Sequence, residues 1–409
     1  MTHSFSPELR LAAACAIWPP SDRRIEAIRA AILGPLDWPR LLRVARRHQV
    51  VALVHEGLRP LQADVPPGII EELAAQAAML VREDLAIARE SVRLQRLFDE
   101  ADLPVLFVKG AALGVLAFGK LGLRSAQDID LLVGYEALPS AMAIVCRAGY
   151  RRFDPPPNVN DAQLRLLMPL RKDLGFVHEA SGLRIELHWR LFLNPYAMAE
   201  TSMMAESRLV PLAGTAGLRT LSEEDLFAYL CMHGALHWWN RLKWLSDINA
   251  LLATTPQDRI EHLIQAAEER GTRRAASQAL LLCWRVFRTP LPASLRSLGN
   301  SPNMRWLVAT ALNAIATGQG EHDPHDVRFG TTRGSLSTVL LSRRWRYRWA
   351  ELGVHLTNPT DVLTLQLPQP LRFLYPILRL PLWAWRHTVR NNAWRLKGVR
   401  PHQPSNGVG

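Results

Sequence analysis

The stretch VKGAALGVLAFGKLGLRSAQDIDLLV, Val108 to Val133, decides how this chain is read. Its end, DIDLLV, has the aliphatic content of a buried strand. Side chains alternate faces along a strand, so Asp128 and Asp130 point one way while Ile129 and Leu131 point into a core. Two like charges side by side repel. Something positive has to compensate them. At the other end, VLFVKG (Val105–Gly110) reads as a short buried strand, and AALGVLAFG reads as a helix starting at Gly110. Lys109-Gly110-Ala111 therefore lies where a strand gives way to a helix. There the free N–H groups of the first turn attract anions, and glycine allows close backbone approach. Lys109 suits either a phosphate or an ion pair with one of the acids, and Arg124, four residues before Asp128, can reach the same place. The segment GVLAFGKL (Gly114–Leu121) is one residue short of a P-loop. It lacks the Ser or Thr after the lysine and has no strand directly before it, so that reading is set aside.

Working outward, residues 1 to about 100 read as helices. The strongest is Pro67–Asp102, whose apolar positions recur every three or four residues until Leu103-Pro104. Ala137–Ala148 reads as another helix, followed by the Pro-rich loop FDPPPNVNDA. LGFVHEASGLRIELHWRLF alternates around Ala180-Ser181-Gly182 and reads as a hairpin. From about residue 200 the helical pattern returns, and Ser222 with Asp225 marks a helix start. The expected fold class is α+β: a small mixed sheet flanked by helical regions. The expected division is 1–100 helical, 101–200 the α/β core, 201–300 helical and 301–409 a basic, Trp/Arg-rich helical region.

The chain has 409 residues, 48% hydrophobic and 21% charged, as in a folded protein with more than one packed unit. Cys15, Cys146, Cys231 and Cys283 are scattered, as expected of four buried or half-buried thiols in a reducing cytoplasm. No stretch has the length of a transmembrane helix, and LAAACAIW after Arg10 reads as a first helix rather than a signal segment. Of the formal net charge of +12, nearly all falls after Thr331, where Arg and Lys interleave with Trp, Tyr and Phe. Three readings of that region rank in order: a helical cap with solvated arginines, a surface on an anionic membrane, and a nucleic-acid platform.

On the last hairpin strand Arg184, Glu186, His188 and Arg190 share one face, opposite Ile185, Leu187 and Trp189. If this strand neighbours DIDLLV, Glu186 approaches Asp128 and Asp130, unless Arg184 or Arg190 is its partner. Three converging carboxylates need a cation. Hard oxygen ligands with open positions suit Mg²⁺, two ions of which assist an in-line phosphoryl or nucleotidyl transfer. His188 reads as packing beside Trp189 and hydrogen-bonding locally, rather than as taking part in chemistry. His233 and His237, at i and i+4, read as a buried helix face near Trp238 and Trp239 rather than a zinc site. Asp247 reads either as approaching the nucleotide or substrate or, slightly favoured, as paired with Arg241 or Lys243.

The order K-G, R-x-x-x-D-I-D-L-L-V, I-E-L-H-W and HGALHWWNRLKWLSDINALL resembles the polymerase-β-like nucleotidyltransferase superfamily over roughly residues 70–255. More closely it resembles a bacterial branch of largely uncharacterised nucleotidyltransferases. The resemblance implies that Gly110 is the nucleotide-loop glycine, Asp128 and Asp130 the metal-binding pair, and Glu186 the third carboxylate. One departure stands out: Ala111 occupies the position where the superfamily usually has Gly or Ser. The function expected is Mg²⁺-dependent transfer of a nucleoside monophosphate from an NTP to an acceptor (sugar, peptide, small molecule or protein), with release of pyrophosphate. Asp128, Asp130 and Glu186 are the expected catalytic and metal residues; Lys109, Gly110, Ala111 and Arg124 are expected to bind the nucleotide. The expected location is cytoplasmic, with peripheral membrane contact through the C-terminal region. The other reading is a catalytically idle scaffold using that basic region.

Overall fold

A computed structural model of the chain describes residues 5–199, 203–213, 216–253, 255–291, 293–326, 330–375, 377–379, 381, 382 and 385. The expectations for Arg386 to Gly398 lie outside the described residues.

The helix expected from Pro67 spans Pro67–Glu100. Its buried positions Leu73, Ala77, Asp84, Ile87, Ser91, Leu94 and Phe98 follow three- and four-residue steps, so one stripe faces the core. It ends where Asp102 turns to φ +50° and the Leu103 amide bonds back to the Phe98 carbonyl, which satisfies a terminal C=O. Pro104 then prevents a restart.

Five strands make the central sheet: β1 (Leu106–Phe107), β2 (Ile129–Leu132), β3 (Tyr150–Asp154), β4 (Asp173–His178) and β5 (Arg184–His188). Their order is β1-β2-β5-β4-β3. β2 runs parallel to β5, and the other neighbours are antiparallel. The α+β class is thus realised as a mixed sheet. Asp130 stands opposite Glu186, and Leu132 opposite His188. Ile129, Leu131, Ile185 and Leu187 face a core completed by Leu94 and Phe98 of the long helix and by Ala141 and Val145 of the helix Leu138–Arg147. The opposite face of β2 and β5 therefore carries Asp130, Glu186 and His188.

Three details depart from the sequence reading. β2 starts at Ile129, so Asp128 immediately precedes the strand rather than lying in it. β3 is a strand that the sequence reading did not have, and it takes in Phe153 and Asp154, the first two residues of the stretch read as a Pro-rich loop. The return to helix comes only at Glu223, because β6 (Arg208–Ala213) and β7 (Ala216–Thr220) form a hairpin first. Val210 and Leu218 bury one face of it against the sheet core, and the Thr220 hydroxyl donates to the Phe107 carbonyl at 2.7 Å. Single anchors of this kind do not register as a periodic pattern.

Helices Glu223–Leu236, Leu242–Ala253, Arg273–Phe287 and Pro302–Ile315 pack with the N-terminal helices around a second, larger core containing Leu9, Ile28, Leu53, Leu245 and Leu280. The helix Trp345–Leu356 caps it: Tyr347 is fully buried, while Trp345 and Trp349 are 67% and 68% exposed. The four cysteines are free; Cys15, Cys231 and Cys283 are buried as expected, whereas Cys146, near the end of the helix Leu138–Arg147, is exposed. Among the described residues no helix is long and apolar enough to cross a membrane.

Candidate active site

The acid-bearing face of β2 and β5 meets a cavity of about 590 Å³. Lys109, Gly110, Arg124, Asp128, Asp130 and Glu186 all line it. Ala111 does not line it; its methyl is buried in the sheet core. A larger cavity of about 900 Å³ beside the first helix has no acidic lining residue among those described, so size does not choose the site.

Among the described residues, donor atoms of Asp130, Glu186 and His188, one from each, lie within 4.8 Å of one another. His188 Nε2 lies 3.3 Å from Asp130 Oδ1 and 3.3 Å from Glu186 Oε2. The sequence reading placed His188 beside Trp189 as a packing residue with local hydrogen bonds. It is instead the third member of the cluster, and the signal was its place on the Glu186 face of the same strand. Asp128 stands at the cavity wall, outside this tight group. Asp173, which opposes His188 across β4 and β5, adds a fourth carboxylate, 3.7 Å from His188 Nδ1.

The compensating positive charge is visible. Lys109 Nζ sits 3.0 Å from Asp130 Oδ1, and Lys172 Nζ sits 3.8 Å from Glu186 Oε2. Burial pushes the Asp130 carboxyl up, but Lys109 and the His188 hydrogen bond outweigh it and hold the group well below the usual carboxylate range. For Glu186 the His188 hydrogen bond is the largest influence and lowers it. Burial and Lys172 pull His188 down, but its bonds to Asp130 and Glu186 prevail and raise it. Asp128 is raised, first by burial and then by the Asp130 charge beside it.

The loop between Gly119 and Asp128 is held by one buried acid. Asp84 of the long helix accepts from the Ala126 amide at 2.8 Å and the Gly122 amide at 3.2 Å. That explains a carboxylate inside an apolar stripe. Arg124, carried on this loop, is 5% exposed and bonds Asp247 through Nε at 3.1 Å. Asp247 is thus partnered by Arg124, rather than by Arg241 or Lys243 as the sequence suggested. Lys243, which sequence reading had not placed in the site, lines the cavity and donates to the Ser125 carbonyl. Burial, and then Arg124, lower it to about 7.

Gly110 opens the helix Gly110–Phe118 at φ +64°, a conformation that favours glycine. Gly114 lies inside that helix, so no P-loop exists here. The opposite wall is the helix Glu223–Leu236. Tyr229 is buried beside Lys109, and His233 packs against Tyr229, His237 and Trp244, with ring centroids 4.7–5.6 Å apart. Trp238 instead stacks on His325, so the histidine pair faces the cavity rather than the Trp238–Trp239 side. Burial holds His233 well below its ordinary value, hence neutral. From the capping helix, Glu351 accepts from Asn194 at 2.9 Å, and both line the cavity.

The arrangement is an acid-and-imidazole cluster on two parallel strands, beside a glycine-opened helix start. A comparison with the curated proteins finds no match. A family model described as an uncharacterised nucleotidyltransferase matches residues 34–288, more than half of the chain, and spans the sheet, the Gly110 turn and the helices Glu223–Leu236 and Leu242–Ala253 at the cavity wall. The chain belongs to this family of uncharacterised nucleotidyltransferases.

Proposed function

We propose that this protein is a metal-dependent nucleotidyltransferase of the polymerase-β-like kind, using an NTP as donor. The observation that carries the reading is the Asp130–Glu186–His188 cluster within 4.8 Å, whose two carboxylates line the same cavity as Gly110. The donor set fits a divalent cation: two carboxylates supply hard oxygens, and Asp128 stands close enough in sequence and on the same wall to add another. Mg²⁺ bound there supplies positive charge for the phosphates at the reacting centre.

The chain's own groups do the rest. The first-turn amides from Gly110 onward lack intrahelical partners and can cradle a triphosphate. Lys109 keeps Asp130 ionised. Neutral His233 and Tyr229 shape the far wall. The acceptor's nucleophilic atom forms a bond to the α-phosphorus, the bond from that phosphorus to the α–β bridging oxygen breaks, and pyrophosphate leaves. The acceptor's proton passes to a carboxylate, for which Glu186, with its side chain 39% exposed, is best placed. The acceptor is a sugar, peptide, small molecule or protein.

One observation favours the scaffold reading instead: Lys109, Lys172 and His188 already compensate the acids without a metal. Equilibrium binding of ATP, GTP, CTP and UTP, with and without Mg²⁺, decides. Wild type is expected to bind at least one nucleotide only with Mg²⁺, and Asp128→Asn/Asp130→Asn to lose that by about tenfold or more. No binding by either protein would overturn the enzyme reading.

A further inference from the structure

A second cavity, of about 770 Å³, lies against the first. Leu191, Phe192 and Asn194 line both, so a single short segment separates them. Leu132 and Val133, at the carboxyl end of β2, and Trp189, at the end of β5, form part of its wall. Asp130 is two residues before Leu132, about 7 Å along the strand, and His188 directly precedes Trp189. Ligands of open sheets settle at the carboxyl ends of parallel strands, and β2–β5 is the parallel pair.

The chemistry of this second cavity differs from that of the first. No acidic residue lines it among those described. Met168, Met198, Met203 and Met204 join Trp189 and Phe192 in an apolar, adaptable wall suited to a flexible chain. Arg165 and Arg190 also line it, and neither meets a carboxylate within 4 Å among the described residues; Arg190 instead donates to the carbonyls of Pro169 and Arg171. The volume falls within the range that buries a ligand of about drug size.

We infer that this cavity is the acceptor's apolar subsite, and that the acceptor is an anionic amphiphile. Its alkyl or isoprenoid chain lies among the methionines, and its anionic group meets Arg165 and Arg190. Its nucleophilic group passes Leu191–Asn194 into the acid cluster. The acceptor role rests on the nucleotidyltransferase reading; occupation of the cavity by an anionic alkyl chain does not.

The test titrates the full chain with monomeric cis-parinaric acid, a fluorescent anionic alkyl chain. Saturable binding of one probe per chain is expected. Two substitutions at the cavity wall are expected to weaken it by about tenfold or more while leaving nucleotide binding and the thermal midpoint unchanged. They are Gly134→Trp, at φ −62° with nothing within 4 Å of an added Cβ, and Ala205→Trp, at an exposed position. Because both positions are at the surface, one serves if the other fails to fold. Absence of saturable binding, or equal affinity in wild type and both variants, overturns the inference. Asp130→Asn should keep probe binding while losing nucleotide, and a wild type that binds the probe but no nucleotide removes the transferase reading and spares the cavity's occupation by an anionic alkyl chain. Offering the probe in phosphatidylcholine vesicles separates the sources: depletion of the vesicles assigns a membrane lipid, and uptake of the free acid alone assigns a soluble amphiphile.

Discussion

Lys109 is the residue on which the site's electrostatics turn. Its side chain is 15% exposed, and it lies 3.0 Å from a carboxylate that is 2% exposed. Removing one partner of such a buried pair leaves the other charge uncompensated, which costs more than the intact pair contributes. Lys109→Met is therefore expected to lower stability by about 3 kcal/mol in chelator, measured by urea unfolding. Lys109→Met/Asp130→Leu should lose less than the sum of the two single variants. Added Mg²⁺ should restore the Lys109→Met midpoint more than it raises that of wild type; equal responses would show that the acids do not hold the ion. The pairing of Lys109 with an acid was one of two readings open at the level of sequence. Which acid it meets depends on the β1–β2–β5 register, and strand sequences do not state their neighbours.

At the scale of elements, the long helix and the 119–128 loop are coupled through Asp84. Two backbone amides depend on its carboxylate, and the loop carries both Arg124 and Asp128. Asp84→Ala strands the Gly122 and Ala126 amides in a buried setting. The expected loss is about 2 kcal/mol or more in urea unfolding, accompanied by weaker Mg²⁺-dependent nucleotide binding. Weakened unfolding with unchanged nucleotide affinity would show that the loop does not position the site. Gly122 itself has little freedom to change: it sits at φ +85°, and an added Cβ would lie 2.7 Å from the Val81 side chain. The helix was legible from its three- and four-residue rhythm. The acid inside its stripe was equally visible, but its purpose was not, because its partners lie 38 and 42 residues further on.

At the scale of the whole molecule, His48 ties the N-terminal helices to the helix Leu242–Ala253. It is 0% exposed, and its Nδ1 accepts from the Leu242 amide at 3.1 Å, which requires that nitrogen to be unprotonated. Burial first, then Arg47 and Arg241, hold it well below its ordinary value. In the unfolded chain it titrates near 6.5. Below about pH 6.5 the unfolded state takes up a proton that the folded state refuses, so stability is complete above that pH and falls below it. The urea midpoint should drop between pH 7 and pH 5, and drop less in His48→Gln. Equal drops in the two proteins would remove His48 as the cause. The capping helix Trp345–Leu356 acts at the same scale, since Glu351 reaches the cavity through Asn194 from more than 150 residues away.

By itself the sequence determined the local order: the long helix, the DIDLLV strand, the Gly110 turn, the 173–188 hairpin and the faces that Asp130 and Glu186 share. These follow from periods of 3.6 and 2 and from where Gly and Pro break them, all short-range properties. Tertiary structure decided which groups meet. It brought His188 into the acid cluster, paired Arg124 with Asp247, turned His233 and His237 toward the cavity and packed the β6–β7 hairpin on the sheet. Contacts of that kind depend on strand order and on helices closing over the sheet. Their energy comes from burial and charge pairing between distant segments, which no local pattern encodes.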